Sequence, residues 1–337
     1  MRRIVLRLVG FGGVLTLVYF LGPKPTSFDS IPAIPAYVMS EVAKHANVES
    51  WIKELESHKG IRPGNESEFY WADSAGKPTE FVLLYLHGFS ACPVEGHPVS
   101  TDFAKRYGMN LYAPLLSEHG LVGEEPMLNY TAESWILSAQ KALAVAQTMG
   151  KKVIVMSTST GCTSALYLAS DSANKIHALI NFSPNIRVFD NRAFLVSGPW
   201  GLQIARFIRG GKYNVWEAPK GAEQYWHTKY RLEAIVEMQK LLEATMVDSI
   251  FEQINVPTFV GYYYKNELQQ DDVVSVVAIQ EMFKKLGSPI KEIKQLEEVG
   301  AHAMASSLFS KDIDAVKEAS FLFAETKLHL MPLTHSN

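Results

Sequence analysis

Residues 153 to 169 constrain this chain more than any other stretch. Val153-Ile154-Val155-Met156 is an apolar, β-branched run of the kind that forms a short buried strand. Ser157-Thr158-Ser159-Thr160-Gly161 follows, and Ala165, Leu166, Leu168 and Ala169 are then spaced for a helix lying on a sheet. Strand, sharp turn and helix in this order expose a nucleophilic serine at the top of an α/β sheet. The turn brings two backbones close together, so it needs small residues on either side of the serine. Its usual spelling is Gly-x-Ser-x-Gly; here serine replaces the first glycine. On their own, the same residues also fit an ordinary polar turn between a strand and a helix.

The surrounding segments repeat the strand and helix rhythm. Phe81-Val82-Leu83-Leu84-Tyr85-Leu86 is a continuous apolar strand, as expected in a sheet covered on both faces. It runs straight into His87-Gly88-Phe89-Ser90. Phe69 to Trp71 and Asn110 to Ala113 fit further short strands. From Thr131 to Met149, the residues Trp135, Ala139, Ala142, Leu143 and Ala146 share one helical face, with Thr131 as N-cap and Gly150 as stop. Ile176 to Phe182, Val256 to Tyr264 and Ile290 to Val299 read as later strands, with helices over Val273 to Leu286 and Asp312 to Glu325. This alternation indicates a doubly wound, mostly parallel sheet. Residues 186 to about 250 break the rhythm with Phe194, Trp200, Phe207, Tyr213, Trp216, Tyr225, Trp226 and Tyr230. Such an insertion suits a helical cap over the strand ends, and a second packing layer of ordinary core aromatics fits equally.

Residues 1 to 22 have a different character. Arg2, Arg3 and Arg7 precede or interrupt an apolar stretch from Ile4 to Leu21, which is uncharged from Leu8 onward. Its length lies between a signal-peptide core and a membrane-spanning helix. The expectation is an uncleaved membrane anchor, with its arginines on the cytoplasmic side and the rest of the chain on the other. Secretion after signal cleavage is the alternative. Residues 23 to 60 follow as a linker stiffened by Pro23, Pro25, Pro32 and Pro35, then an amphipathic segment carrying Val38, Val42, Trp51, Ile52 and Leu55. Residues 61 to 337 would form the main domain, with the insertion at about 186 to 250.

Charge and cysteine content exclude several function classes. The formal net charge is −3, with no basic stripe or block, so nucleic acid is not an expected partner. Cys92 and Cys162 form neither a disulfide framework nor a zinc spacing. No His and carboxylate spacing suggests a metal, and no glycine-rich loop suggests a dinucleotide cofactor.

Acyl transfer by serine needs a base, an acid to orient that base, and donors for the oxyanion. On an α/β sheet the partners follow in the order serine, acid, histidine. Here Ser159 is followed by Asp271 and Asp272, after the strand ending near Tyr264, and by His302, after the last strand. Each falls at the carboxyl edge of the sheet, where open α/β sheets carry their sites. Ser157 lacks a glycine two residues on and ranks below Ser159. His87 and His119 read as loop-structuring, His97 as polar surface and Cys162 as packing.

Taken together, these stretches resemble the α/β-hydrolase superfamily, in its serine esterase and monoglyceride-lipase-like branch, from about residue 61 to the end. His87-Gly88-Phe89 resembles the family's oxyanion loop, and Glu118-His119-Gly120 its Gly-His-Gly stretch. Asp271-Asp272-Val273-Val274-Ser275 resembles its Asp-x-Val-Val motif, and Gly300-Ala301-His302 its terminal histidine turn. The resemblance implies Ser159 as nucleophile, His302 as general base and Asp271 as acid, with Asp272 as competitor. It implies the backbone N–H groups of Phe89 and Thr160 as oxyanion donors. The implied reaction is cofactor-free hydrolysis of a small carboxylic ester, with an apolar acyl group suggested by the aromatic insertion. An amidase or peptidase of the same fold, or a non-catalytic binding protein on a hydrolase scaffold, are the alternatives. Dehalogenase and epoxide-hydrolase relatives carry aspartate at the elbow instead.

Overall fold

Eight strands form one sheet in the computed structural model, which describes residues 16–333. The path runs β1 (Glu68–Tyr70), β3 (Asn110–Ala113), β2 (Thr79–Leu86), β4 (Gly150–Thr158), β5 (Ile176–Phe182), β8 (Thr258–Asn266) and β10 (Lys291–Leu296). Strand β9 (Gln269–Gln270) pairs with β8 off this path, and β6 (Tyr213–Val215) pairs with β7 (Lys229–Arg231) in a separate ribbon. Strands β1 and β9 run antiparallel to their partners, and the other pairs of the main sheet are parallel. Parallel strands need helical crossovers, which cover both faces. Val82 to Leu86 and Val153 to Met156 are accordingly buried without interruption.

The two faces divide these strands by side-chain parity. Val82, Leu84, Leu86, Val153 and Val155 pack under α4 (Ala132–Met149) and α5 (Thr160–Ala169). Leu83, Tyr85, Ile154 and Met156 pack under α3 (Val99–Arg106) and α11 (Ile313–Lys327). Burying each large apolar side chain stabilises the fold by about 1.5–3 kcal/mol. The remaining helices are α1 (Ala36–Val42), α2 (Val48–Ser57), α6 (Phe194–Ser197), α7 (Gly201–Arg209), α8 (Leu232–Thr245), α9 (Asp248–Phe251) and α10 (Val276–Lys285). Helix α4 starts at a capping box between Thr131 and Ser134. It ends as expected at Gly150, which is extended, with φ −165°, and opens β4 directly.

The proline-bearing segment before α1 is docked on the sheet's helical layer. Gln140 Nε2 donates to the carbonyls of Ile31 and Ala33, both at 2.8 Å. Asn174 Nδ2 donates to Pro32 O at 2.8 Å, and Tyr167 Oη to Ser30 O at 2.8 Å.

The expected membrane anchor, and the anchored or secreted localisation built on it, require correction. A spanning helix needs about 20 apolar residues. Among the described residues, no helix is long and apolar enough to cross a membrane. The described part of the apolar stretch is helical only over residues 16–20 and ends in a turn before Pro23. It lies against the insertion: Trp200 Nε1 donates to Val18 O at 3.0 Å, and the Trp200 N–H to Pro23 O at 2.9 Å. The first fifteen residues of that expectation lie outside the described residues.

The aromatic residues between β5 and β8 divide. Trp226 and Tyr230 are buried, whereas Phe194 and Phe207 are exposed. The buried pair faces the sheet edge. Tyr230 meets Phe89 with ring centroids 5.4 Å apart, and Trp226 meets Phe309 at 4.8 Å.

Candidate active site

Strands β2, β4, β8 and β10 are parallel, so the loops that follow them converge at one edge of the sheet. Strand β4 ends at Thr158, and α5 begins at Thr160. Ser159 alone makes the reversal, with φ 55° and ψ −121°. A positive φ at a non-glycine residue costs on the order of 1–3 kcal/mol and persists only when its surroundings over-determine it. Here they do. The Ser159 N–H donates to Phe182 O at 3.0 Å, and its carbonyl accepts from the N–H groups of Cys162 at 2.9 Å and Asn185 at 3.1 Å.

Gly161 shows why the turn demands a small residue. A Cβ there would lie 2.1 Å from Leu86 O and 2.6 Å from His87 O, both backbone atoms. The altered first elbow position is absorbed differently. Ser157 is buried, and its hydroxyl donates to Asn181 Oδ1 of β5 at 2.9 Å. It is thereby engaged within the sheet.

Asp271 follows β9, its N–H bonded to Tyr263 O of β8 at 3.2 Å. Its side chain is 1% exposed. Oδ1 accepts from the N–H groups of Val273 and Val274, both at 3.0 Å. Oδ2 lies 2.7 Å from His302 Nδ1. The structure therefore brings Asp271, rather than its neighbour Asp272, to the histidine. Burial opposes the charge of Asp271. The His302 charge and hydrogen bond, with the two backbone N–H groups, outweigh it and hold the carboxyl below its ordinary range. Burial likewise opposes the charge of His302. The charge and hydrogen bond of Asp271 outweigh it, with Glu95 and Asp272 adding to them, and raise the imidazole above 6.5.

Phe89 belongs to the loop after β2, and Thr160 is the first residue of α5. Among the described residues, the N–H of neither has a hydrogen-bond acceptor. First-turn helix N–H groups have no intrahelical partner and are available to an anion. The nearby histidines are engaged elsewhere. His87 Nε2 accepts from the Leu116 N–H at 3.0 Å, and its Nδ1 donates to Gly88 O at 2.8 Å. His119 Nε2 accepts from the Ser90 N–H at 2.9 Å, and its Nδ1 donates to Ser117 O at 2.7 Å. Burial pushes His87 down to about 4, and pushes His119 down as well. Both rings are thus neutral braces of the loop that carries Phe89. His97, expected as polar surface, is half-buried and lies 2.6 Å from a Glu68 oxygen.

Residues of the insertion touch this edge. The His227 N–H donates to Ser90 O at 2.8 Å, and Thr160 Oγ1 approaches the Met238 sulfur of α8 at 3.8 Å. Ser159 is left 6% exposed. One further residue belongs to the site but carries no sequence signal. Glu95, in a short turn over Pro93–Gly96, is 2% exposed and accepts from the Gly88 N–H at 2.6 Å. An acid in a loop reads as solvated until the packing around it is known.

No family model and no curated protein matches this chain. Solved structures do. The structure of LipS and LipT, two metagenome-derived lipolytic enzymes, aligns over 78% of this chain and 98% of its own, at 16% identity and a TM-score of 0.62. The monoacylglycerol lipase of Paleococcus ferrophilus aligns over 77% and 98%, at 12% identity and a TM-score of 0.56. The putative non-heme bromoperoxidase BpoC of Mycobacterium tuberculosis H37Rv aligns over 76% and 94%, at 12% identity and a TM-score of 0.53. The resemblance drawn from the sequence thus holds at the level of the fold: the chain has the α/β-hydrolase fold, as do these lipolytic enzymes and this lipase.

Proposed function

We propose that this α/β-hydrolase cleaves carboxylic esters through an acyl-enzyme on Ser159, with His302 as general base and Asp271 as the acid that orients it. The observation that carries this reading is the 2.7 Å contact between His302 Nδ1 and a buried Asp271 oxygen, at the sheet edge where β4 delivers Ser159. With Nδ1–H donating to Asp271, the Nε2 lone pair is free to take a proton. Ser159 Oγ attacks the ester carbonyl and passes its proton to Nε2. The N–H groups of Phe89 and Thr160 stabilise the oxyanion. Collapse expels the alcohol, which takes the proton back from His302. A water, deprotonated by His302, then attacks the acyl carbon, releases the acid and restores Ser159. Losing either oxyanion donor would slow the reaction on the order of 100- to 1000-fold.

Small-molecule esters with an apolar acyl group are the proposed substrates. Phe89, Tyr130 and Tyr230 form an aromatic cluster beside the loop, which favours such a group. The structural neighbours support the ester class at the level of the fold, since LipS, LipT and the Paleococcus protein are described as lipolytic or as a lipase. The test is hydrolysis of a short-chain chromogenic ester by the wild type and by Ser159→Ala. The proposal expects turnover to drop to background in the variant; equal rates in the two proteins would refute Ser159 as nucleophile.

A further inference from the structure

Glu95 is a buried acid that none of the proposed chemical steps uses. Its Oε2 accepts from the Gly88 N–H at 2.6 Å and from Tyr85 Oη at 3.2 Å. Tyr85 Oη in turn lies 2.9 Å from Thr158 Oγ1. Gly88 adjoins Phe89, and Thr158 adjoins Ser159. The chain of contacts therefore joins the two backbone segments that carry the proposed oxyanion donors. Gly88 sits at its centre: a Cβ there would lie 3.0 Å from Glu95 Oε1 and 3.0 Å from Ser159 Cβ. A carboxyl removed from water is costly unless its hydrogen bonds are met, and here they are met by the loop and the strand.

We propose that Glu95 is a positioning residue, whose carboxyl holds the Gly88–Phe89 peptide in register with the Ser159 elbow through Tyr85 and Thr158, and whose charge acts on His302. The role rests on the reading of Ser159, His302 and Asp271 as a catalytic triad.

Electrostatics support the geometry. The titratable groups facing Glu95 are Tyr85 on β2, Cys92 in the preceding loop, Cys162 on α5 and His302 in the turn after β10. Burial pushes the phenol and both thiols upward, so they stay neutral through the neutral range. Burial also pushes the Glu95 carboxyl up to about 7, against the opposing pull of the Gly88 N–H, the His302 charge and Tyr85. His302 is faced by Asp271 and Asp272 as well. Glu95 and His302 thus each act on the other's charge.

The experiment compares ester hydrolysis by the wild type, Glu95→Gln and Glu95→Ala across about pH 5 to 9, with fluorophosphonate labelling of Ser159 run alongside. Glutamine keeps an acceptor for the Gly88 N–H but removes the charge. The acid limb of kcat/KM should then move to lower pH, because His302 loses a group that holds it protonated. Alanine leaves the Gly88 N–H without its acceptor, and kcat should fall by about 10- to 100-fold with KM little changed. If Glu95→Ala does not fold, the Glu95→Gln profile decides alone. Wild-type labelling at Ser159, with unchanged pH profiles and rates in the folded variants, would overturn the positioning role and leave the triad standing. Failure of the wild type to label at Ser159 would overturn the triad, and the role of Glu95 with it.

Discussion

His302 and Asp271 are 31 residues apart in the chain and 2.7 Å apart in space, Nδ1 to Oδ2. The other oxygen of Asp271 is held by the N–H groups of Val273 and Val274. The carboxylate therefore presents a single, fixed acceptor to the imidazole.

That geometry makes Asp271→Asn more damaging than its size suggests. If the amide oxygen keeps the two backbone bonds, its NH2 group faces Nδ1–H, donor against donor. The imidazole must then turn or adopt the other tautomer, and Nε2 no longer serves as base. A fall in kcat of roughly 10⁴-fold is expected, as in a related triad, with little change in thermal stability measured by circular dichroism. Asp272→Asn should stay within a fewfold of wild type.

The pH dependence follows from the raised imidazole. His302 must be neutral to act as a base, so kcat/KM should climb through a pKa above 6.5. Stability carries the same signature with the opposite direction. The pair's contribution through His302 is fully present below 6.5 and fades as pH rises through the raised folded value. His302→Ala should therefore lower the unfolding midpoint more at about pH 5 than at about pH 9.

Gly161 offers a test of the elbow's packing. An alanine methyl would meet two backbone carbonyls at the end of β2, at 2.1 and 2.6 Å. Neither can move without displacing the loop that carries Phe89. Gly161→Ala should cost about 1–3 kcal/mol or more in urea unfolding and should lose ester hydrolysis even under conditions where it remains folded.

The parts of this fold that could be read from the sequence are those in which neighbouring residues decide the outcome. The buried run of β4, the small residues around Ser159 and the apolar face of α4 are local patterns, and the structure follows them. Strand alternation with helices likewise foretold the parallel sheet. Contacts made across the chain were less legible. Asp271 and Asp272 differ only in which one faces His302, and adjacent acids carry no mark of that. Glu95 looks like any loop acid until Tyr85 and Gly88 close around it. The apolar N-terminal stretch misled for the same reason: composition alone does not reveal that Val18 and Pro23 accept hydrogen bonds from Trp200. Gly150 ends α4 as its helical pattern foretold, but that pattern did not show that the same residue opens β4 without a separate turn.

An activated serine at position 159 is tested by labelling the folded protein with a fluorophosphonate probe and mapping the adduct by mass spectrometry. A stable adduct is expected on Ser159 and is expected to be lost in His302→Ala. An adduct on another residue, or labelling of Ser159 that persists at the same rate without His302, would contradict this expectation.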